Sequence, residues 1–145
     1  MSSENTVYVI GSLRNPNVPV VADSLRSMGT FVFDDWHAAG PDADTYWREY
    51  EQARGFRYRE ALNGPVANHN FDFDKKWLDF CNVGVLVLPA GKSGHMELGY
   101  MKGRGARCFV LMDEDPETGW DLMYKLADAV CYNVEELKAA IGQEV

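Results

Sequence analysis

The segment Ala90-Gly91-Lys92-Ser93-Gly94-His95-Met96-Glu97-Leu98-Gly99-Tyr100 gathers a carboxylate, an imidazole, a hydroxyl and an ammonium into one short stretch. Gly91-Lys92-Ser93 matches the end of a nucleotide-binding P-loop, Gly-x-x-x-x-Gly-Lys-Ser/Thr, whose long turn wraps backbone amides around a polyphosphate. Counting back from Gly91 puts Leu86 where the first glycine belongs, inside an apolar run, so the spacing excludes that reading. What remains is Glu97, in the first turns of a helix that starts at the carboxyl end of the run. A helix N-terminus favours the ionised form of an acid, and Gly94 and Gly99 leave room for other groups to approach. An ionised, positioned glutamate suits attack at a sugar carbon; the plainer reading is a glutamate that caps or solvates the helix start. His95 lies two residues before Glu97 and so points to a different face of the helix, which argues against a catalytic pair. A loop-end hydrogen bond or a substrate contact fits it better.

The elements that would position these groups alternate along the chain. Val7–Ile10 is a short β-branched strand ending at Gly11-Ser12, and Val20, Val21, Leu25 and Met28 then recur at helical spacing before Gly29. Phe31–Phe33 reads as a second strand, Asp34–Asp44 as a loop, residues 44–62 as a helix weakened at Gly55, and Asp74–Phe80 as a short helix. Val83–Leu88 is the nearly continuous apolar strand of a sheet buried on both faces. A helix from His95 to Met101, a strand from Arg107 to Met112, a helix from Asp121 to Asp128, a strand from Ala129 to Tyr132 and a last helix from Val134 to Ile141 follow. This order predicts an α/β fold, a doubly wound sheet of about five parallel strands, with ligands bound beyond the carboxyl ends of the strands. With 145 residues, no repeat and no linker, residues 1–145 read as a single domain.

Composition narrows the function further. A net charge of −8 argues against a nucleic-acid polymer or an anionic membrane as partner, since both need a positive surface field. Cys81, Cys108 and Cys131 are odd in number, lie in or beside apolar segments and form no Cys-x-x-Cys pair, which points to buried thiols in a cytoplasmic protein. The start Met-Ser-Ser-Glu-Asn-Thr shows neither a basic nor an apolar leader pattern, and no apolar run is long enough to span a bilayer. His37 and His69 lack ligand-spaced partners, and Asp113-Glu114-Asp115 reads as an exposed acidic turn, so no metal is expected. Gly11-Ser-Leu-Arg-Asn-Pro16 lacks the later glycines of a dinucleotide fingerprint, and nothing marks a flavin site, so no cofactor is expected either. Trp36, Trp47, Phe56 and Tyr58 fall where a base-stacking wall would stand, although core packing is the favoured reading.

Four segments in order, Val7–Pro16, Phe71–Asp74, Val85–Tyr100 and Asp121–Asp128, resemble the nucleoside 2-deoxyribosyltransferase family, including the related deoxynucleoside 5′-monophosphate N-glycosidases. The resemblance is weakest over residues 34–70. It implies a flavodoxin-like fold and cleavage of an N-glycosidic bond by a glutamate nucleophile, at the position of Glu97. It further implies Tyr8 as an orienting hydrogen-bond donor and Asp74 as the acid that protonates the leaving nitrogen, with Asp72 as the nearby substitute. The loop Gly11-Ser12-Leu13-Arg14-Asn15 is similar to the one with which the monophosphate-cleaving members hold a 5′-phosphate, and Gly91, Lys92, Ser93 and His95 would meet substrate from the other loop. A hydroxyl, backbone amides and a guanidinium at a helix start make a sensible anion site. Two positions depart from the family: Gly91 replaces an aspartate six residues before the nucleophile, and Asn82 replaces one just before the central strand. The first removes a sugar or base contact and counts against base exchange. The resemblance also implies a homo-oligomer whose subunits complete each other's sites. The runner-up function is a non-catalytic nucleotide-binding or sensing protein on the same fold.

Overall fold

A computed structural model describes residues 4–143; Met1, Ser2 and Ser3, part of the N-terminal stretch in which no leader pattern was read, lie outside them. Five strands, β1 (Thr6–Ile10), β2 (Phe31–Phe33), β3 (Val83–Val87), β4 (Arg107–Leu111) and β5 (Ala129–Cys131), form one sheet in the order β2-β1-β3-β4-β5. Every pairing is parallel. The order 2-1-3-4-5 is that of the flavodoxin-like doubly wound fold, with its switch point between β1 and β3. Among the described residues no helix is long and apolar enough to cross a membrane, and no group of three or more His, Cys, Asp or Glu is arranged to hold a metal ion.

Alternation along β1 divides the core. Val7 and Val9 pack under helices α1 (Asn17–Arg26) and α6 (Val134–Gly142), where Val18, Val21, Leu25, Leu137 and Ile141 are buried. Tyr8 and Ile10 face the opposite side, under α4 (Pro65–Phe80) and α5 (Lys92–Gly103), with Leu78, Leu86 and Met101. Helices α2 (Ala43–Ala53) and α3 (Tyr58–Leu62) precede α4. Cys81, Cys108 and Cys131 are free and buried.

Several boundaries differ from the sequence expectation, each for a local reason. The segment 44–62 is two helices, because Gly55 adopts φ +86° and lets the chain turn between them. Helix α4 begins at Pro65, nine residues before Asp74, where extended Gly64 meets a proline whose missing N–H costs nothing in a first turn. Helix α5 starts at Lys92 instead of His95. The stretch around 121–128 is only a 3-10 turn, Leu122–Leu126, opened by Asp121, whose Oδ1 accepts the Met123 amide at 2.9 Å. Asp34–Asp44 is not wholly irregular, since Asp35–Ala39 form another 3-10 turn.

Candidate active site

Helix α5 can lie close to the sheet because Gly94 has no side chain: a Cβ there would stand 3.0 Å from Leu86 Cδ1 and 3.2 Å from Ile10 Cγ2. One turn on, Glu97 is carried over β1 and reaches the hydroxyl of Tyr8, itself buried in the middle of the sheet. From the flanking helix, half-buried Asp74 acts on the same carboxylate. The structure thus brings Tyr8, Asp74 and Glu97 together from β1, α4 and α5 at the β1/β3 switch point.

Their electrostatics follow from this confinement. Burial, and then the negative charge of Asp74, push Glu97 up from 4.5 to about 7, only partly offset by the hydrogen bond from Tyr8. Burial alone lifts Asp74 from 3.8 to about 6. The Tyr8 phenol is held far above its ordinary value, by burial first and by the two carboxylates next, so it stays a donor. Burial thus opposes the helix terminus, which favours the ionised form of Glu97. A helix dipole contributes about 0.3–1 kcal/mol, whereas a rise from 4.5 to about 7 corresponds to about 3 kcal/mol in the opposite direction.

Asp72 is exposed, two residues from Asp74 and hence on another face of α4, so the structure does not bring it to the cluster. Aromatic rings that sequence reasoning left unassigned do line the surroundings. Phe33 lies 4.9 Å from Tyr8, stacks on Trp77 at 5.1 Å and 15°, and meets Phe73 at 5.9 Å (ring centroids). The stripe Phe73, Trp77, Phe80 at helical spacing was the available signal, although Phe73 and Phe80 stay about half exposed and Leu78 is the buried residue of α4. Trp36 packs against both cores and donates its indole N–H to the Val9 carbonyl at 2.8 Å. Trp47 is half-buried but joins neither core, and Phe56 and Tyr58 are exposed, so of these four rings core packing describes only Trp36.

The two loops of the expected anion site lie next to each other. Gly11 lets the first approach β3: a Cβ there would stand 2.8 Å from Val18 Cγ2 and 3.4 Å from the Val87 carbonyl oxygen. Asn15 is buried, its amide donating to the Pro89 carbonyl at 3.4 Å and its oxygen accepting from Asn17 N at 3.0 Å, so this side chain joins the loops and is not free for a ligand. Ser12 Oγ accepts the Arg14 amide at 3.1 Å. Arg14, Lys92 and Ser93 are exposed, and among the described residues neither cation forms an ion pair. Gly91 is the N-cap of α5 and supplies no side-chain cap; a Cβ at this position would meet nothing within 4 Å. His95 is bonded to Gly91 and to Tyr124. Beside this site, beyond the ends of β3, β4 and β5, opens a cleft of about 720 Å³ walled by Leu88, Pro89, Trp120, Leu122, Tyr124 and Tyr132.

Fold and site together define a flavodoxin-like α/β protein with a half-buried carboxylate pair beside a buried tyrosine at its switch point. Among solved structures, the chain is similar to a 2-deoxyribosyltransferase from the psychrotolerant bacterium Bacillus psychrosaccharolyticus, with 15% identity over 92% of this chain and 90% of that one and a TM-score of 0.59. It is also similar to a CMP N-glycosidase from Clostridium botulinum, with 9% identity over 96% of this chain and 100% of that one and a TM-score of 0.51. At these identities the likeness shows a shared fold. No protein-family model matches the sequence, and no curated protein matches it.

Proposed function

We propose that the protein is an enzyme that cleaves, or transfers at, the N-glycosidic bond of a deoxynucleoside or its 5′-monophosphate, with Glu97 as nucleophile. The observation that carries this reading is the cluster of Tyr8, Glu97 and Asp74 over the central strands, next to the β1/β3 switch point at which this fold binds ligands. The activities named for the two structural neighbours support it. The Glu97 carboxylate attacks the anomeric carbon as the bond to the base nitrogen breaks, and Asp74 gives that nitrogen its proton. Tyr8 holds the carboxylate in place by donating its hydrogen bond. Water then releases the sugar, or a second base accepts it.

The free cations Arg14 and Lys92, on joined loops of a chain with net charge −8, favour an anionic substrate group, a 5′-phosphate. The test is release of base from a panel of nucleosides and monophosphates by the wild type, Glu97→Gln and Arg14→Ala. Turnover falls by orders of magnitude in Glu97→Gln while binding persists. Arg14→Ala costs roughly ten- to a hundredfold in kcat/KM for the monophosphate alone, as expected for a charge-assisted contact of about 1.5–3 kcal/mol. Near-normal turnover without Glu97 refutes covalent catalysis, and equal losses for nucleoside and monophosphate in Arg14→Ala refute the phosphate contact. Binding without turnover in the wild type would establish the sensing alternative instead.

A further inference from the structure

Both ring nitrogens of His95 are engaged, and together they set its tautomer. Nδ1 lies 2.7 Å from the Gly91 carbonyl oxygen. A carbonyl only accepts, so Nδ1 carries a proton. The neutral ring then offers Nε2 as an acceptor, and the Tyr124 hydroxyl donates to it across 3.0 Å. The two rings are also nearly parallel, 24° apart with centroids separated by 5.8 Å.

Each end of this link holds a piece of chain that has little else to hold it. Gly91 has no side chain with which to cap α5, and among the described residues the only other donor to its carbonyl is the His95 amide, at 3.3 Å. At the far end, Leu122, Met123, Lys125 and Leu126 are all exposed, and Tyr124 is the one half-buried side chain of its turn. That turn is a wall of the cleft beyond β3–β5.

We propose that His95 and Tyr124 are positioning residues, forming a clasp that fixes the start of the Glu97 helix against the turn Leu122–Leu126. The clasp keeps the site and the adjoining cleft in register, and neither ring touches the reacting atoms. Substrate binds the clasped form, so breaking the clasp lowers the competent fraction and raises KM, while kcat of the bound complex is retained. This kinetic consequence rests on the N-glycosidic reading; the clasp itself does not.

Two variants test it. Tyr124→Phe keeps the ring and removes only the hydroxyl. His95→Asn places an amide nitrogen where Nδ1 stands, so it keeps the Gly91 bond and loses the one to Tyr124. Nitrogen-15 NMR of wild-type imidazoles is expected to show His95 as the Nδ1–H tautomer, and amide hydrogen exchange in Leu122–Leu126 is expected to accelerate about two- to tenfold in both variants, the effect of one lost hydrogen bond. KM should rise by a similar factor with kcat within about twofold. An Nε2–H tautomer, or unchanged exchange in both variants, overturns the clasp. Faster exchange with an unchanged KM, or with an equal fall in kcat, overturns the positioning role. A wild type that turns over no nucleoside or monophosphate refutes the proposed function, and the tautomer and exchange results still decide the clasp.

Discussion

Replacing Glu97 by Gln should stabilise the folded protein, and more so at high pH. An acid whose folded-state value is raised binds more protons folded than unfolded, so its contribution to stability is fully present below the unfolded value and is lost as pH rises through the folded one. For Glu97 that window runs from 4.5 to about 7. At pH 8 the fold must hold the carboxylate ionised, at a cost of about 3 kcal/mol, and at pH 5 the cost is about 1 kcal/mol. Glutamine has no such titration and its oxygen still accepts from Tyr8, so the variant gains about 2 kcal/mol relative to wild type between pH 5 and pH 8. In a chain of this size that is on the order of 6 °C in melting temperature. The assay is thermal or urea unfolding of both proteins at the two pH values. A difference independent of pH, or a variant less stable at pH 8 than at pH 5 relative to wild type, would refute the view that Glu97 is enclosed beside a second acid.

Three further predictions concern the pair and its setting. The wild-type kcat/KM should be bell-shaped in pH with limbs near 6 and 7, because below the first no nucleophile is ionised and above the second no acid is protonated. Asp74→Asn should slow poorly leaving bases most and leave one rising limb, moved below 7 by loss of the neighbouring charge; an unchanged bell counts against the pair. Met96 and Leu122 are about three-quarters exposed and Phe71 and Leu126 more than half, apolar surface that supports a homo-oligomer. Light scattering should give at least a dimer, and a monomer fully active at nanomolar concentration contradicts it.

The parallel sheet was legible because its central strands are apolar on both faces: Val83–Val87 is buried at every position, so the run carries no ambiguity of face. The full length of α4 was not, because its first half, Pro65–Phe73, keeps only Val66 and Ala67 half-buried and so lacks a continuous apolar stripe. The Gly64-Pro65 start signal was the remaining clue. At the site, residue types suggested that Glu97 mattered, but its protonation could not be read from the sequence. That depends on how deeply α5 sits on the sheet, a packing result set by Gly94 against Ile10 and Leu86. The link from His95 to Tyr124 spans 29 residues and two elements, and no local pattern encodes it. Asn15 shows the converse: a polar loop residue that reads as a ligand contact is used to join two loops.

In the ligand-free protein the acids are poised in the order opposite to the one the proposed reaction would use. Burial raises both acids and the Asp74 charge raises Glu97 further, so the single proton that the pair shares rests more on Glu97 than on Asp74. Substrate can reverse that order by two independent effects. A base covering Asp74 excludes water from it and raises its value further, since burial is already the whole cause of its shift. The positive charge that develops on the sugar ring as the C–N bond lengthens lies beside Glu97 and favours its anion. The second effect is absent from the ground state and strongest in the transition state, so the energy spent on keeping Glu97 neutral at rest is returned where it lowers the barrier. On this view the enclosure that destabilises the fold at high pH is the same feature that makes the carboxylate reactive, and Glu97→Gln should relieve the first while abolishing the second.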